Sequence, residues 1–278
     1  MKKLIMIFIT VVAVISVLVA CSPDTGNGNG NEPEPNDPLK DLKSYIEQSK
    51  NPAEVKEYLD GVMEGSDEKT SDSLILEYLN YMNGIVSGNI TYEKEILESA
   101  GFKIISVEGN EQPIIDYHFI DEYSGQISQE MLDFNKFMTL NSDKPWAMDA
   151  GIIIPLSDLA DRIALGEQFI VKYPSSVMKE QVQILYGYYL GSFIGGLDNT
   201  PLVLFDKNKI DPEFIAAFDY FLETYPDLKT AETVETLQAE LKATGYSAPY
   251  TYDDEEKRTA FQKHIDELVA EAESRLNQ

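Results

Sequence analysis

The 278-residue chain contains a single cysteine, Cys21. With no second thiol to pair with, it has no disulfide framework and no thiolate zinc site. Histidine is almost as scarce. His118 and His264 have no histidine or cysteine at ligand spacing, and both read as packed or surface residues. Neither a His-Glu-x-x-His run nor a Gly-x-Ser-x-Gly elbow occurs, and no glycine-rich loop is placed to cradle a phosphate. No catalytic, cofactor-binding or metal-ligating residue is therefore assigned, and no cofactor is expected.

Positive charge is also in short supply. Lysine and arginine number 22 against 48 aspartates and glutamates, a net charge of −26, and the only arginines are Arg162, Arg258 and Arg275. Such a surface repels nucleic acid and anionic lipid headgroups. With its arginines dispersed, the chain offers no bidentate site for phosphate or carboxylate.

What the chain does have begins at its N-terminus. Lys2 and Lys3 precede seventeen uncharged residues, Leu4 to Ala20, which end in Leu18-Val19-Ala20-Cys21. A basic start, an apolar run and a small residue are the three parts of an export signal. This order resembles the lipobox signal of bacterial lipoproteins. The resemblance implies that residues 1–20 are removed and that Cys21 is acylated, holding the protein to the cell membrane by lipid. An uncleaved N-terminal anchor helix is the alternative, and both place the rest of the chain outside the cytoplasm. Loss of Lys2 and Lys3 would leave 20 basic against 48 acidic residues, or −28. After Cys21, residues 22–37 are glycine, asparagine, proline and acid without a large apolar side chain, so residues 21–37 read as a lipidated cysteine and a flexible tether.

From Pro38 onward the pattern is helical. Asp37-Pro38 and Asn51-Pro52 place a capping residue before a proline, the signal of a helix start. Leu74, Ile75, Tyr78, Leu79, Met82, Ile85 and Val86 recur at three and four residues, and a further helix spans about Tyr92 to Ala100. Isoleucine, valine and aromatic residues in Phe102–Glu108 and Pro113–Ile120, separated by Gly109-Asn110-Glu111-Gln112, predict a β-hairpin. A helix near Gln129–Leu140 leads into a polar loop containing Trp146, the only tryptophan, which reads as a cap on the core or as a sugar-stacking platform.

The second half, residues 151–278, has one internal echo. Glu167 to Pro174 aligns with Asp219 to Pro226 at an offset of 52, each segment closing on Phe-x-x-x-Tyr-Pro, where proline stops the helix. Between the echoes a helix over about Val177–Gly196 sets Gly187, Gly191 and Gly195 every fourth residue. Each glycine costs about 1 kcal/mol against alanine in a helix, so a close neighbouring helix, or membrane pairing, should compensate. Helix pairs with small residues and a closing Tyr-Pro resemble tetratricopeptide-type repeats over about residues 155–245. That resemblance implies a helical array with a concave face for extended peptides or partner proteins. The offset departs from the 34-residue period of the family, and a simple bundle fits the same residues.

The expected fold is thus mainly α: a helical bundle or irregular helical-repeat array with a small β-hairpin insertion. Its regions are 38–150, N-terminal and helical with the hairpin, and 151–278, C-terminal and repeat-like. The expected function is a membrane-anchored extracytoplasmic lipoprotein that binds or scaffolds an envelope protein or peptide. Cys21 is the lipidation site, and Trp146, Tyr186, Tyr188 and Tyr189 form the expected binding surface. The alternatives are a carboxylate-dependent hydrolase acting on envelope glycans, with Asp143 and Asp149 beside Trp146, and a solute-binding lipoprotein. Asp206 to Asp211 begins like a calcium loop, but Ile210 and Asp211 stand at positions that need a ligand and a glycine, so Asp211 reads as a helix cap. The tyrosine-rich loop Tyr246–Tyr252 precedes a last helix over Glu255–Leu276, and Asp253 to Glu256 set four carboxylates where its dipole favours them.

Overall fold

The computed structural model describes residues 37–49, 51–88, 92–107 and 109–278. The expected export signal, Cys21 and the expected tether through residue 36 lie outside the described residues. The fold is mainly α, with two-stranded hairpins as its only sheets among the described residues. It divides into two compact units between Asn135 and Lys136.

In the first unit, α1 (Pro38–Gln48), α2 (Pro52–Met63) and α3 (Glu68–Ser87) precede a short α4 (Lys94–Ser99). The expected caps are in place. The Asp37 carboxylate accepts the N–H groups of Leu39 and Lys40, and the Asn51 side chain accepts that of Ala53. The apolar stripe of α3 is buried together with Leu42, Val55 and Leu59. At its centre the Tyr78 hydroxyl donates to the Ala100 carbonyl at 2.7 Å, and burial pushes its pKa far up. Lys56 has its ammonium 2.8 Å from both Asp60 and Glu122, with Tyr123 donating to Asp60. A buried cation is thereby matched by carboxylates on two elements.

The hairpin is shorter than expected and shifted. β1 (Phe102–Val107) pairs antiparallel with β2 (Asn110–Ile115), and Val107 stands opposite Asn110. Gly109 adopts φ +80° just before β2, so Asn110 to Gln112 belong to the strand and not to a loop. The strand stops at Ile115 because Asp116 caps a 3₁₀ helix, Tyr117–Tyr123, by accepting the N–H of His118. His118 therefore lies in that helix and not in a strand, and pairs with Asp121 at 2.7 Å.

The unit boundary falls inside α5 (Gln129–Asp143), upstream of the expected division at 150/151. Its C-terminal part packs into the second unit: the Phe137 ring lies 5.9 Å from Tyr189, and a β-carbon on Gly166 would stand 3.3 Å from it. Three further hairpins with strands of two residues follow that the sequence did not reveal: β3 (Ala147–Met148) with β4 (Gly151–Ile152), β5 (Gly196–Leu197) with β6 (Thr200–Pro201), and β7 (Val203–Leu204) with β8 (Lys209–Ile210). The first two meet at their turns. Asn199 donates its N–H to the Ala150 carbonyl, and Ile152 donates to the Thr200 hydroxyl, both at 2.9 Å.

The helices of this unit are α6 (Leu156–Lys172), α7 (Lys179–Gly195), α8 (Pro212–Thr224), α9 (Lys229–Ala243) and α10 (Glu255–Leu276). α6 packs on α7 and α8, α8 on α9, and α10 on both α7 and α9. The sequence echo has a physical counterpart in how α6 and α8 stop. Tyr173 and Tyr225 take nearly the same backbone angles, and each donates its N–H to the phenylalanine four residues earlier. Each ring also sits beside that phenylalanine, at 5.0 and 5.5 Å. Asp211 caps α8 through the N–H of Glu213, as expected.

The glycine stripe of α7 faces α10 in antiparallel register. β-carbons added at Gly187, Gly191 and Gly195 would meet Glu273 Oε1 at 2.5 Å, Val269 Cγ2 at 3.8 Å and Ile265 Cγ2 at 3.1 Å. Gln183, one step further along the row, donates to Asn277 at 3.1 Å. Close backbone approach is the compensation that the glycines needed. No helix of the described residues is long and apolar enough to cross a membrane.

The three sites should respond differently to alanine. Gly191→Ala fills ordinary contact space and should stabilise the protein by about 0.5–1 kcal/mol, whereas Gly195→Ala should gain nothing because Ile265 must give way. Gly187→Ala should drive the Glu273 carboxylate outward. Burial raises the pKa of Glu273, so its contribution to stability is full below the ordinary glutamate pKa and is lost as pH rises through the folded value. In wild type, stability should fall across that acidic window, and in Gly187→Ala the slope should flatten. Urea titrations of the three variants from pH 4 to 7 measure both effects, and a wild-type slope in Gly187→Ala would contradict this placement of Glu273.

Candidate functional site

The four residues expected to form a binding surface do not form one. Tyr186 and Tyr189 are wholly buried, and Trp146 is 9% exposed. On α7 these tyrosines face α6 and the end of α5, not a groove. The Trp146 ring lies edge-on to Tyr189 at 5.6 Å, and the Arg162 guanidinium lies 5.9 Å from the same ring. The Tyr186 hydroxyl is within 2.7 Å of the Thr230 hydroxyl. Burial pushes the Tyr189 hydroxyl up to about 12, with Arg162 pulling the other way. Tyr188 alone reaches solvent, at 37% exposure, and it does so away from the other three.

Trp146 therefore caps the core and offers no open face for a sugar. Asp149 occupies the β3–β4 turn at φ +48°, and Asp143 ends α5. Glu273, the carboxyl that burial shifts upward, lies elsewhere, against Gly187.

An exposed aromatic surface does exist, built by a different part of the chain. α9 ends in a Schellman turn: Gly245, at φ +62°, donates to the Lys242 carbonyl, and Tyr246 to that of Leu241. This turn sends the tyrosine-rich loop along β8. Ile210 donates to the Tyr246 carbonyl at 3.0 Å, Ala248 to that of Asn208 at 3.1 Å, and the Lys209 ammonium to that of Gly245 at 2.9 Å. Pinned in this way, Tyr250 and Tyr252 come beside Phe205 at the tip of the β7–β8 hairpin and Phe261 on α10.

The four rings form a chain. Phe205 lies 5.6 Å from Tyr252 at 81° and 5.9 Å from Tyr250, and Tyr250 lies 5.4 Å from Phe261. The edge-to-face pair of Phe205 with Tyr252 is favoured by the ring quadrupoles, and the other two pairs are tilted. Tyr252 is 68% exposed and Phe205 38%. Partial burial raises the Tyr250 hydroxyl, Arg258 opposes that shift, and Asp198 adds to it. The Arg258 guanidinium carbon stands 6.0 Å from the Tyr252 ring centre.

The sequence marked the tyrosine-rich loop, but Phe205 lies about 45 residues upstream of it. No local signal pointed to their meeting.

The first unit has a second, shallower feature. Tyr45 and Tyr58 stack face to face at 4.2 Å and, with Glu54, Glu57, Gly61 and Val62, line a depression of about 310 Å³. Its rings cover each other, so it exposes little aromatic face. His264 pairs with Glu240 at 2.8 Å on the surface of the second unit.

No family model matches the chain, and no curated protein or solved structure matches it either.

Proposed function

We propose that this chain is a membrane-anchored extracytoplasmic lipoprotein that binds or scaffolds a protein of the cell envelope. Anchoring is supported by the lipobox-like Leu18-Val19-Ala20-Cys21, whose acyl groups would embed in the bilayer. Residues 22–37 would then hold the folded units off the membrane. The pairs α6/α7 and α8/α9, with matching Tyr-Pro stops, support a repeat-like helical array of the kind that presents surfaces to partners.

The observation that carries the binding reading is the chain of rings Phe205, Tyr252, Tyr250 and Phe261, of which Phe205 and Tyr252 are exposed and Tyr250 and Phe261 half-buried. Exposed aromatics held rigid by their own backbone lose little entropy on contact, and they are the residue type enriched at protein interfaces. Neither a hydrolase nor a solute-binding protein needs such an aromatic patch on its surface.

Full-length protein purified from envelope in detergent tests both parts. Wild type should fractionate with membranes and retain a partner, while Phe205→Ala with Tyr252→Ala should lose that partner and keep its melting temperature within about 2 °C. Cys21→Ser should release the protein from the membrane. A partner retained equally by the ring variant would place the interface elsewhere.

A further inference from the structure

The rings are apolar, but their neighbours are charged, and the charges select the occupant. We infer that the ring surface receives a cationic, extended segment of the partner protein, with lysine or arginine side chains seated on the outer faces of Tyr252 and Phe205. This inference rests on the binding reading above.

Three observations support it. First, Tyr252 already accepts a guanidinium: Arg258 lies over its ring at 6.0 Å, an intramolecular version of the contact a partner would make. Second, the segments that carry the rings also carry Asp206, Asp253, Asp254, Glu255 and Glu256, and Asp198 in the β5–β6 turn acts on Tyr250, while the cations of those segments are engaged. Lys209 donates to Gly245, Lys257 pairs with Asp254 at 2.9 Å, and Arg258 is on Tyr252. Among the described residues, Lys207 is the one cation of these segments left without a side-chain partner. Third, Phe205 and Tyr252 meet at 81°, so they offer no flat two-ring platform to the apolar face of a sugar. A neutral glycan would gain little there, and an anionic ligand would be repelled.

The test uses full-length protein in detergent at 150 mM salt and three fluorescent probes: an octapeptide of alternating arginine and glycine, its glutamate counterpart, and a chitin-type tetrasaccharide. The arginine peptide should bind, and Phe205→Ala with Tyr252→Ala should weaken it about tenfold although no charge has changed. Arg258→Gln should tighten binding about threefold by vacating the ring. Lys257→Gln, with the same change of charge away from the ring, should have a smaller effect.

Equal affinity in wild type and the ring variant would overturn the inference, because the acidic surface would then be acting diffusely. Stronger binding of the glutamate peptide or the tetrasaccharide would overturn it as well. A partner that depends on the rings but is not displaced by the arginine peptide would remove the cationic occupant and leave the binding reading standing. Absence of any ring-dependent partner would remove the reading itself.

Discussion

Gly196→Ala should cost the second unit at least about 3 kcal/mol, the largest effect expected of alanine at any glycine of the described residues. Gly196 closes α7 and opens β5 at φ +76°, ψ −175°, a region that only glycine enters without strain. A β-carbon there would stand 2.5 Å from the Leu202 nitrogen, 2.8 Å from the Thr200 oxygen and 3.1 Å from the Pro201 carbonyl carbon. These are backbone atoms of the β5–β6 hairpin and cannot swing aside as a side chain would. The hairpin must shift, and the Asn199 and Thr200 contacts to the β3–β4 turn shift with it.

Thermal unfolding should show a drop of about 10 °C. Gly191→Ala on the same helix is the control, because it should not fall at all. An unchanged melting temperature for Gly196→Ala would contradict the close approach of this hairpin to α7.

Glu167→Ala should be as damaging, at about 3–4 kcal/mol, for a different reason. The residue before α9 is Leu228, which has no side-chain oxygen with which to cap the helix. The cap comes instead from α6: Glu167, 2% exposed, accepts the Lys229 N–H at 2.6 Å, the Thr230 N–H at 2.9 Å and the Thr230 hydroxyl at 2.5 Å. A carboxylate at a helix N-terminus gains from the orphan N–H groups and from the dipole together. Alanine would leave the two Thr230 donors buried and unpaired and would open a cavity beside Tyr186.

Glu167→Gln keeps an acceptor and should cost about half as much. Hydrogen exchange in the first turn of α9 should accelerate in Glu167→Ala well beyond the rest of the unit. Uniform acceleration would mean that the carboxylate acts as general packing and not as a cap.

How much of this was legible in the sequence differed by kind of feature. Helix starts were legible because the signal is local: a capping side chain, then proline, as at Asp37, Asn51 and Asp211. The Gly187-Gly191-Gly195 row was legible as a demand for a close neighbour, although which helix would answer it was not.

Glu167 shows why the rest was hidden. In the sequence it is the first residue of the echo, and its counterpart Asp219 is a surface acid that accepts from Gln238. Only the return of the chain 62 residues later makes one of the two a buried cap. The four-residue pattern of α7 likewise could not say which tyrosines turn inward. Tyr186 and Tyr189 point to the core and Tyr188 to solvent, so the expected surface on α7 was replaced by rings from β7–β8, the Tyr246–Tyr252 loop and α10. The two-residue strands have too few residues to show an alternating pattern and were missed for that reason.

The proposed interface is this ring surface, met by a partner while the protein is tethered to the membrane. Photo-crosslinking in living cells tests it most directly, with a benzophenone amino acid placed at Tyr252 in one strain and at Val171, an exposed position on α6, in another. One discrete adduct should form from position 252 and be lost when Phe205 is changed to alanine, and none should form from position 171. The same adducts from both positions, or none from position 252 with the protein present at normal levels, would contradict it.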